Sequence, residues 1–287
     1  MMIPAPFDYA RPASLAEALG LIASADPSIR VLAGGQSLIP IMKLRLARPE
    51  RLVDLGQLEV LRGIREAPGG GLAIGALTTW AALLSDARVR GYGVLADAIP
   101  LIGDLQVRNR GTIGGSLAHA DPASDIAAPA LALEVQLVVR SAARGDRVIE
   151  SGDFFIGPFA TALEPDEILV EVRLPAPLAH ARSAYRALPQ PASGYPIAGV
   201  AVVLIGSPTA SAGRERCLVG VAGVGDQPYR AVAVEQAILG GATVADAVRE
   251  ITAGQRVASD IHADREYRAA IAAVMARRAF EAAAHPA

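Results

Sequence analysis

The chain has 287 residues, of which 52% are hydrophobic and 20% are charged, a composition typical of a globular protein with one large domain or two ordinary ones. A net charge of −2 and an aromatic content of 4% argue against a protein that binds nucleic acid through basic or base-stacking surfaces. The only cysteine, Cys217, excludes an internal disulfide and a cysteine-ligated iron–sulfur cluster held by this chain alone.

Several other classes of site lack the residues that they need. The only lysine, Lys43, does not lie in a P-loop motif, and the four histidines do not have the spacing of a zinc site. The N-terminus has no signal-peptide pattern, and the longest apolar run, residues 197–206, is too short to span a membrane. We therefore expect no transmembrane segment. The expected location is the cytoplasm, where the protein could also lie at the inner face of the membrane.

The first part of the chain, to about residue 60, alternates short helices and strands. Ser14 is a predicted N-cap, with Glu17 as its capping-box partner. A strand then runs directly into Gly34 and Gly35, and the apolar residues that follow have helical spacing until Pro49. The predicted helices cover residues 15–23 and 38–46, and the predicted strands cover residues 30–33 and 52–55.

The second part, residues 61–176, is rich in predicted helices. Thr78 or Thr79 is predicted to cap a helix that ends at Leu84, and residues 87–105 are predicted to be mostly helical. Residues 106–121 show little periodicity and contain three glycines, so they are predicted to form a long loop, which is often a functional feature. A helix is predicted over residues 122–134, and strands over residues 72–75, 135–141, 147–151 and 168–174.

Pro175 and Pro177 mark the predicted boundary between two domains. The first domain covers residues 1–176, with two subdomains that meet at about residue 60, and the second covers residues 177–287. The second domain is predicted to be an α+β unit, with helices on one face of a three-stranded antiparallel sheet. Its strands are predicted over residues 183–188, 197–205 and 216–224, and its helices over residues 232–239, 244–251 and 264–284.

Two glycine pairs are the clearest chemical signal in the sequence. The first glycine segment is Ala33-Gly34-Gly35-Gln36-Ser37-Leu38, and the second glycine segment is Thr112-Ile113-Gly114-Gly115-Ser116. Glycines let the main chain bend and approach a ligand closely, and successive N–H groups in such bends can surround an anion. Two facing segments could hold a pyrophosphate, with the hydroxyl groups of Ser37, Thr112 and Ser116 as further donors. Alternatively, each pair forms only an ordinary turn.

Polar residues around the second glycine segment leave two interpretations open. Asp125 is predicted to lie on the helix that follows, where its carboxylate could accept a hydrogen bond from a ribose hydroxyl or could only complement the helix dipole. Arg108 and Arg110 could bind phosphate, or could be solvated charges or contacts with a partner. An ordinary Rossmann dinucleotide fold is not supported, because no G-x-G-x-x-G motif opens a βαβ unit.

Several long motifs make the chain resemble one family. They are Pro6-Phe7-Asp8-Tyr9, AGGQSLIPIMKLRLARP from Ala33, QVRNRGTIGGSLAHADPASD from Gln106 and DFFIGPFATALEPDEIL from Asp153. With these motifs and its C-terminal module, the sequence resembles the FAD-binding medium subunit of the molybdenum hydroxylases, the xanthine and carbon monoxide dehydrogenase group. The resemblance implies a mixed α/β fold, in which a two-part FAD-binding domain of the vanillyl-alcohol-oxidase (PCMH) type precedes a C-terminal α+β domain.

The resemblance also implies which residues contact the cofactor. The two glycine segments would hold the FAD pyrophosphate from opposite sides, and Asp125 would bind the ribose or adenine part. Ile102 would pack near the flavin, Leu169 would lie beside the adenine, and Tyr195 would cover one face of the isoalloxazine ring. Relatives often have a lysine-rich segment shortly before that tyrosine. This chain has Arg186 there, which could replace such a lysine. Whether Arg186 or Tyr195 contacts the ring is left open.

The resemblance implies an FAD-dependent oxidoreductase subunit of a heterotrimeric molybdenum hydroxylase. Such a subunit passes electrons from the [2Fe–2S] clusters of a small iron–sulfur subunit to an external acceptor. A large molybdopterin subunit hydroxylates the substrate, so this chain would carry no catalytic residue for that step. The expected assembly is a dimer of heterotrimers. The alternatives are a stand-alone FAD oxidoreductase of the vanillyl-alcohol-oxidase type and a nucleotide-binding regulatory protein without enzymatic activity.

Overall fold

The computed structural model describes residues 3–67, 69–177, 180–206 and 214–284. The first part of the chain forms β1 (Asp8–Ala10), α1 (Leu15–Ile22), β2 (Ile29–Leu32), α2 (Leu38–Lys43) and β3 (Arg51–Asp54). These strands form a parallel sheet in the order β1-β3-β2. The predicted cap of α1 is confirmed, because Ser14 Oγ accepts a hydrogen bond from Glu17 N at 3.1 Å. α2 ends before its predicted end, where Arg45 has a left-handed backbone (φ 58°).

The second part supplies an antiparallel sheet and many short helices. Five strands pair in one sheet, and the strand at its centre is the last of the five along the chain. The elements are β4 (Ile64–Glu66), β5 (Leu72–Gly75), α3 (Trp80–Ser85), α4 (Ala87–Arg90), α5 (Gly93–Ala98), α6 (Leu105–Arg110), α7 (Ile113–His119), α8 (Ala127–Ala132), β6 (Gln136–Ser141), β7 (Gly145–Glu150), α9 (Ser151–Phe154), β8 (Phe155–Gly157), β9 (Ala160–Thr161) and β10 (Glu167–Leu174). The sheet order is β4-β5-β10-β6-β7, and β8 pairs with β9.

The predicted loop over residues 106–121 is wrong, because most of this stretch belongs to α6 and α7. Side-chain caps explain why two helices form in a glycine-containing segment. Asp104 Oδ1 accepts a hydrogen bond from Val107 N at 2.7 Å, and Thr112 Oγ1 accepts one from Gly115 N at 3.2 Å. Each cap satisfies a backbone donor that the first turn of a helix would otherwise leave unpaired.

The predicted helix over residues 122–134 is shorter than expected and begins only at Ala127. The residues before it form turns, in which Asp121 Oδ1 accepts a hydrogen bond from Ala123 N at 2.9 Å. Asp125 therefore lies in the connection that precedes α8, and the prediction that it lies on the helix is wrong. From this connection its carboxylate accepts a hydrogen bond from Tyr185, in the C-terminal part of the chain.

The five-stranded sheet is buried on both faces. The face that carries Ile168 and Val170 shares a core with α1 and β3, and the face that carries Leu169 and Val172 shares a core with α3, α5 and α8. A bulge between Leu169 and Glu171 interrupts the regular register of β10. The sheet thus joins the first part of the chain to the layer of short helices.

The C-terminal part of the chain is a second antiparallel sheet with its own helices. Its elements are β11 (Arg182–Pro189), β12 (Pro196–Gly206), β13 (Arg214–Ala222), β14 (Tyr229–Arg230), α10 (Val232–Leu239), α11 (Val244–Ala247) and α12 (Arg265–Ala284). The three predicted strands are confirmed, and the two-residue β14 adds a fourth, in the order β11-β12-β13-β14. Among the described residues, no helix is long and apolar enough to cross a membrane.

Both faces of the C-terminal sheet are covered, whereas the sequence predicted helices on one face only. Val200 and Val202 of β12 belong to a core with α10 and α12. The alternate residues, Ala201 and Val203, belong to the core that contains α5 and α8 of the preceding domain. The sheet is therefore a layer between two sets of helices, which explains why β12 is an uninterrupted apolar run.

Gly220 marks a tight contact between β13 and α8. A Cβ atom on Gly220 would lie 2.1 Å from the carbonyl oxygen of Ala128. In the same region, Gly223 N donates a hydrogen bond to Pro122 O at 2.7 Å. The C-terminal sheet thus meets the preceding domain through backbone atoms as well as through apolar side chains.

We expect Gly220→Ala to lower the free energy of unfolding by roughly 1–3 kcal/mol, because β13 or α8 must move to admit the methyl group. Gly20→Ala is the matched control, since Gly20 is exposed in α1 and nothing packs within 4 Å of its Cβ position. The control should raise stability by about 0.5–1 kcal/mol. Urea unfolding measures both changes, and an unaltered midpoint for Gly220→Ala would contradict the tight contact.

Candidate functional site

The two glycine segments are in direct contact, although they are far apart in the sequence. A Cβ atom on Gly34 would lie 2.2 Å from the carbonyl oxygen of Arg110, and a Cβ atom on Gly115 would lie 3.2 Å from the Cβ of Ala33. The first distance leaves no room for a side chain at residue 34. The fold therefore brings the two predicted pyrophosphate segments to one place, where the first and second parts of the chain meet.

The first glycine segment presents backbone donors that the protein does not use. Within the described residues, the N–H groups of Gly34, Gly35, Gln36 and Ser37 donate no hydrogen bond. Gly35 has a φ of 75°, which turns the chain between β2 and α2 and which most other residues would adopt only with strain. Adjacent N–H groups in such a turn suit the oxygens of an anion.

The second glycine segment differs from the sequence prediction that it would offer its N–H groups as well. Ile113 N donates to Thr78 O at 3.1 Å, and Gly114 N donates to Ala76 O at 2.9 Å. A Cβ atom on Gly114 would lie 2.4 Å from the Cβ of Ala76, so this glycine allows α7 to pack against the connection between β5 and α3. The N–H groups of residues 113–116 are thus used within the protein, and the segment is left with Thr112 N and its side-chain hydroxyl groups as donors.

The C-terminal domain reaches the first glycine segment through Tyr195. Ser37 precedes α2 without capping it through its side chain, and its hydroxyl lies beside that of Tyr195. Tyr195 is 41% exposed and directly precedes β12. Partial burial raises the pKa of Tyr195, the carboxylates of Asp121 and Asp125 add to the increase, and the Ser37 hydroxyl opposes it. A predicted ring contact thus lies next to a predicted pyrophosphate segment.

Asp125 lies in a buried contact between the two domains. It is 7% exposed, and Tyr185 on β11 donates a hydrogen bond from its hydroxyl to Asp125 Oδ1 at 2.7 Å. Burial raises the pKa of Asp125 to about 6, and the hydrogen bond from Tyr185 opposes this increase. Ser124 links the region to the second glycine segment, because its Oγ lies 3.1 Å from Ser116 Oγ. No sequence pattern indicated a role for Tyr185, because its partner is distant along the chain.

The remaining predicted contacts have partners within the protein. Arg186 Nη1 donates to Asp97 Oδ2 at 2.6 Å, which ties β11 to α5. Leu169 is buried in the core that also contains α7, and Ile102 is half-buried at its edge. The Ile102 carbonyl accepts a hydrogen bond from Arg108 Nη1 at 3.1 Å, and two neighbouring carbonyls accept from the same nitrogen. Arg108 is therefore a structural residue, which leaves Arg110 as the exposed member of the predicted pair.

A polar cleft of about 110 Å³ lies beside Gly34 and contains one arginine that the sequence did not indicate. Arg11, Arg62 and Arg110 line it together with Asp54. Three guanidinium groups and one carboxylate give the cleft a positive balance, which favours an anionic ligand. Arg11, together with Pro12, belongs to the first motif of the family resemblance, and Arg110 is one of the predicted phosphate ligands, but no local pattern indicated Arg62.

Comparison with known proteins identifies the family. Residues 5–177 match the FAD binding domain in molybdopterin dehydrogenase, and residues 183–283 match the CO dehydrogenase flavoprotein C-terminal domain. The carbon monoxide dehydrogenase medium chains of Hydrogenophaga pseudoflava and Afipia carboxidovorans are 37% and 39% identical to this chain, over 98% of each chain. CO dehydrogenase from Oligotropha carboxidovorans has a matching fold, with a TM-score of 0.93 at 37% identity over 100% of both chains.

The chain therefore belongs to the FAD-binding medium subunits of the molybdopterin-dependent dehydrogenases, the carbon monoxide and xanthine dehydrogenase family. The resemblance predicted from the sequence motifs is confirmed, as are the mixed α/β fold class and the assignment to oxidoreductase subunits. The individual cofactor contacts and the domain boundaries at residues 60 and 176 stay predictions.

Asp125→Asn should change the pH dependence of stability. The folded pKa of about 6 exceeds the ordinary value of 3.8, so the stability that the protonated carboxyl contributes is present below about pH 4 and is lost as the pH rises through 6. Asparagine avoids this loss and still offers an acceptor to Tyr185. Between about pH 4 and pH 7, the free energy of unfolding of the variant should rise by roughly 1–3 kcal/mol relative to that of the parent chain. Urea unfolding of the flavin-free proteins tests this, and a pH-independent difference would contradict it.

Proposed function

We propose that the chain is the FAD-binding electron-transfer subunit of a heterotrimeric molybdenum hydroxylase. Electrons from the [2Fe–2S] clusters of a partner subunit leave for an external acceptor by way of the FAD held here. The observation that supports the proposal best is the contact between the two glycine segments, in a chain whose full length matches carbon monoxide dehydrogenase medium chains. Whole-length similarity to medium chains favours this function over a stand-alone oxidoreductase and over a regulatory protein.

The residues at the subdomain boundary fit the diphosphate of FAD. The unused N–H groups of the first glycine segment would donate to its oxygens, and Arg11, Arg62 and Arg110 would balance its charge from the neighbouring cleft. Thr112 and Ser116 would contribute from the other side through their hydroxyl groups. The absence of a side chain at Gly34 lets the two segments approach closely enough to act together.

The residues around this boundary would hold the other parts of the cofactor. Asp125 would accept a hydrogen bond from a ribose hydroxyl, and Leu169 would give the adenine an apolar neighbour. Ile102 would pack against the flavin, and Tyr195 would cover one face of the isoalloxazine ring. Arg186 would influence the ring through its charge while its ion pair with Asp97 holds it. When bound, FAD supplies the transfer of electrons singly or in pairs.

The proposal requires two kinds of partner. With Cys217 as its only cysteine, the chain cannot ligate an iron–sulfur cluster by itself, so a small iron–sulfur subunit would provide the clusters. A large subunit would carry the molybdopterin cofactor, and two heterotrimers would form a dimer in the cytoplasm. Relatives named for carbon monoxide, glyceraldehyde and caffeine share this type of chain, which supports placing the choice of substrate in another subunit.

Ser37→Asp should weaken FAD binding at least tenfold, because a carboxylate beside the unused N–H groups repels a diphosphate and competes for its donors. Ser37→Asn is the matched control, since it has nearly the same shape and suits the same position before α2 without the charge. Fluorescence titration of the flavin-free chains with FAD measures both constants. Equal affinities of the two variants for FAD would contradict the assignment of the first glycine segment to the diphosphate site.

Co-expression with candidate iron–sulfur and molybdopterin chains tests the electron-transfer role. The purified complex should contain the three chains in equal amounts, and its substrate should bleach the visible absorbance of the oxidised flavin. The isolated chain should bind FAD but should oxidise none of the substrates of the complex. Substrate oxidation by the isolated chain would instead support the stand-alone oxidoreductase.

A further inference from the structure

The hydrogen bond between Tyr185 and Asp125 connects the C-terminal sheet to the candidate flavin site. Tyr185 is 1% exposed on β11, and its hydroxyl donates to Asp125 Oδ1 at 2.7 Å. Burial, together with the neighbouring carboxylate, raises the pKa of Tyr185 well above its ordinary value, so this hydroxyl stays a neutral donor. The bond therefore supports a carboxylate without supplying a positive charge.

Asp125 differs in this respect from the two other buried acids in the described part of the chain. Glu167 pairs with Arg147, whose Nε and Nη2 both donate to it at 2.7 Å. Glu235 pairs with Arg230, whose Nε donates to it at 2.6 Å. The carboxyl of Asp125 accepts hydrogen bonds from the Tyr185 hydroxyl and from its own backbone, and no arginine or lysine of the described residues pairs with it. A buried acid without a cation keeps acceptor capacity for a ligand, and the hydrogen bonds that it accepts favour its ionised form against the effect of burial.

The position of the Tyr185 hydroxyl depends on a glycine in the adjacent strand. A Cβ atom on Gly199 of β12 would lie 2.1 Å from the Tyr185 hydroxyl oxygen. Any larger residue at position 199 would displace the phenol ring or its hydroxyl. Strand β11 thus carries the tyrosine, and Gly199 of β12 leaves the space in which its hydroxyl reaches Asp125 of the preceding domain.

Neighbouring residues connect the carboxylate that receives this bond to both glycine segments. Ser124 contacts Ser116 of the second segment, and the charge of Asp125 raises the pKa of Tyr195, which lies beside Ser37 of the first segment. Other titratable groups near the pair are Asp121, which also acts on Tyr195, and Asp97, which accepts a hydrogen bond from Tyr185 N at 2.9 Å.

We propose that Tyr185 is a positioning residue for FAD, which holds the Asp125 carboxylate ionised and oriented so that its second oxygen accepts a hydroxyl of the cofactor. This inference rests on the proposed function and adds a contribution of the C-terminal domain to flavin affinity. The physical reason is that a hydrogen bond to the ionised form of an acid favours that form, and burial disfavours it. Without the Tyr185 hydroxyl, Asp125 takes up a proton at a higher pH and loses its fixed orientation.

If the role of Tyr185 were purely structural, its hydrogen bond would be one of several contacts that hold the two domains together. The neighbouring residue on β11, Arg186, already ties the strand to α5 through Asp97. The apolar contacts of β12 and β13 with α8 hold the sheet independently of the tyrosine hydroxyl. Removal of this one hydroxyl should therefore leave the sheet packed against the preceding domain, and should change the ionisation and orientation of the Asp125 carboxylate.

Tyr185→Phe in the full chain tests the proposal. We expect FAD affinity to fall roughly tenfold at about pH 7, as for the loss of a hydrogen bond to a charged group. The pH below which binding weakens should also rise by about one unit, because the pKa of Asp125 rises. Fluorescence titration with FAD from about pH 5.5 to pH 8.5 measures both effects. Tyr229→Phe is the matched control, since Tyr229 is also buried and its hydroxyl donates to Ile251 O at 2.9 Å.

Asp125→Asn supplies a second line of evidence, which also applies if Tyr185→Phe does not fold. It should bind FAD weakly at every pH in this range, and Tyr185→Phe should add little further loss in the double variant. The proposal is overturned if Asp125→Asn keeps the affinity and pH profile of the parent chain, if Tyr185→Phe keeps them, or if Tyr229→Phe loses as much as Tyr185→Phe. A parent chain that binds no FAD would instead refute the proposed function.

Discussion

The candidate site depends on the absence of side chains where its two glycine segments meet. Gly34 lies against the carbonyl of Arg110 at a distance that excludes even a Cβ atom, and Gly114 lies against Ala76 in the same way. The Gly34 contact sets the distance between the first and second parts of the chain, and the Gly114 contact holds α7 against the connection between β5 and α3 within the second part. Both involve backbone atoms, whose positions cannot relax by rotamer changes. They also leave the donors of the first segment at the boundary, where no side chain of the contact covers them.

The C-terminal domain is part of this arrangement because its sheet has no free face. Side chains of β12 alternate between the helices of its own domain and the helices of the preceding domain, so the sheet cannot move without disrupting two cores. In the same sheet, Tyr185 bonds to Asp125 and Arg186 bonds to Asp97. Strand β12 of this sheet begins directly after Tyr195. A rigid sheet thus fixes three side chains around the boundary at the same time.

Local signals in the sequence were sufficient for most elements but not for the reasons that the glycines are there. Ser14 and Thr79 cap helices as predicted, because a cap and its helix are neighbours in the chain. The stretch 106–121 was predicted to be a loop because its glycines were interpreted as helix breakers, whereas Gly114 is required by packing against the distant Ala76. The motifs indicated Asp125, but no local pattern could indicate Tyr185, since their contact arises only when the two domains meet.

The choice of a neutral partner for Asp125 has a consequence for function. An arginine, such as those that pair with Glu167 and Glu235, would stabilise a buried carboxylate more strongly and would occupy both of its oxygens. The tyrosine hydroxyl occupies one oxygen and leaves the negative charge uncompensated, at a cost in stability that the raised pKa of Asp125 expresses. Such a residue is poorly suited to holding the fold together. It is well suited to receiving a hydroxyl group from a ligand, because that ligand completes its hydrogen bonding.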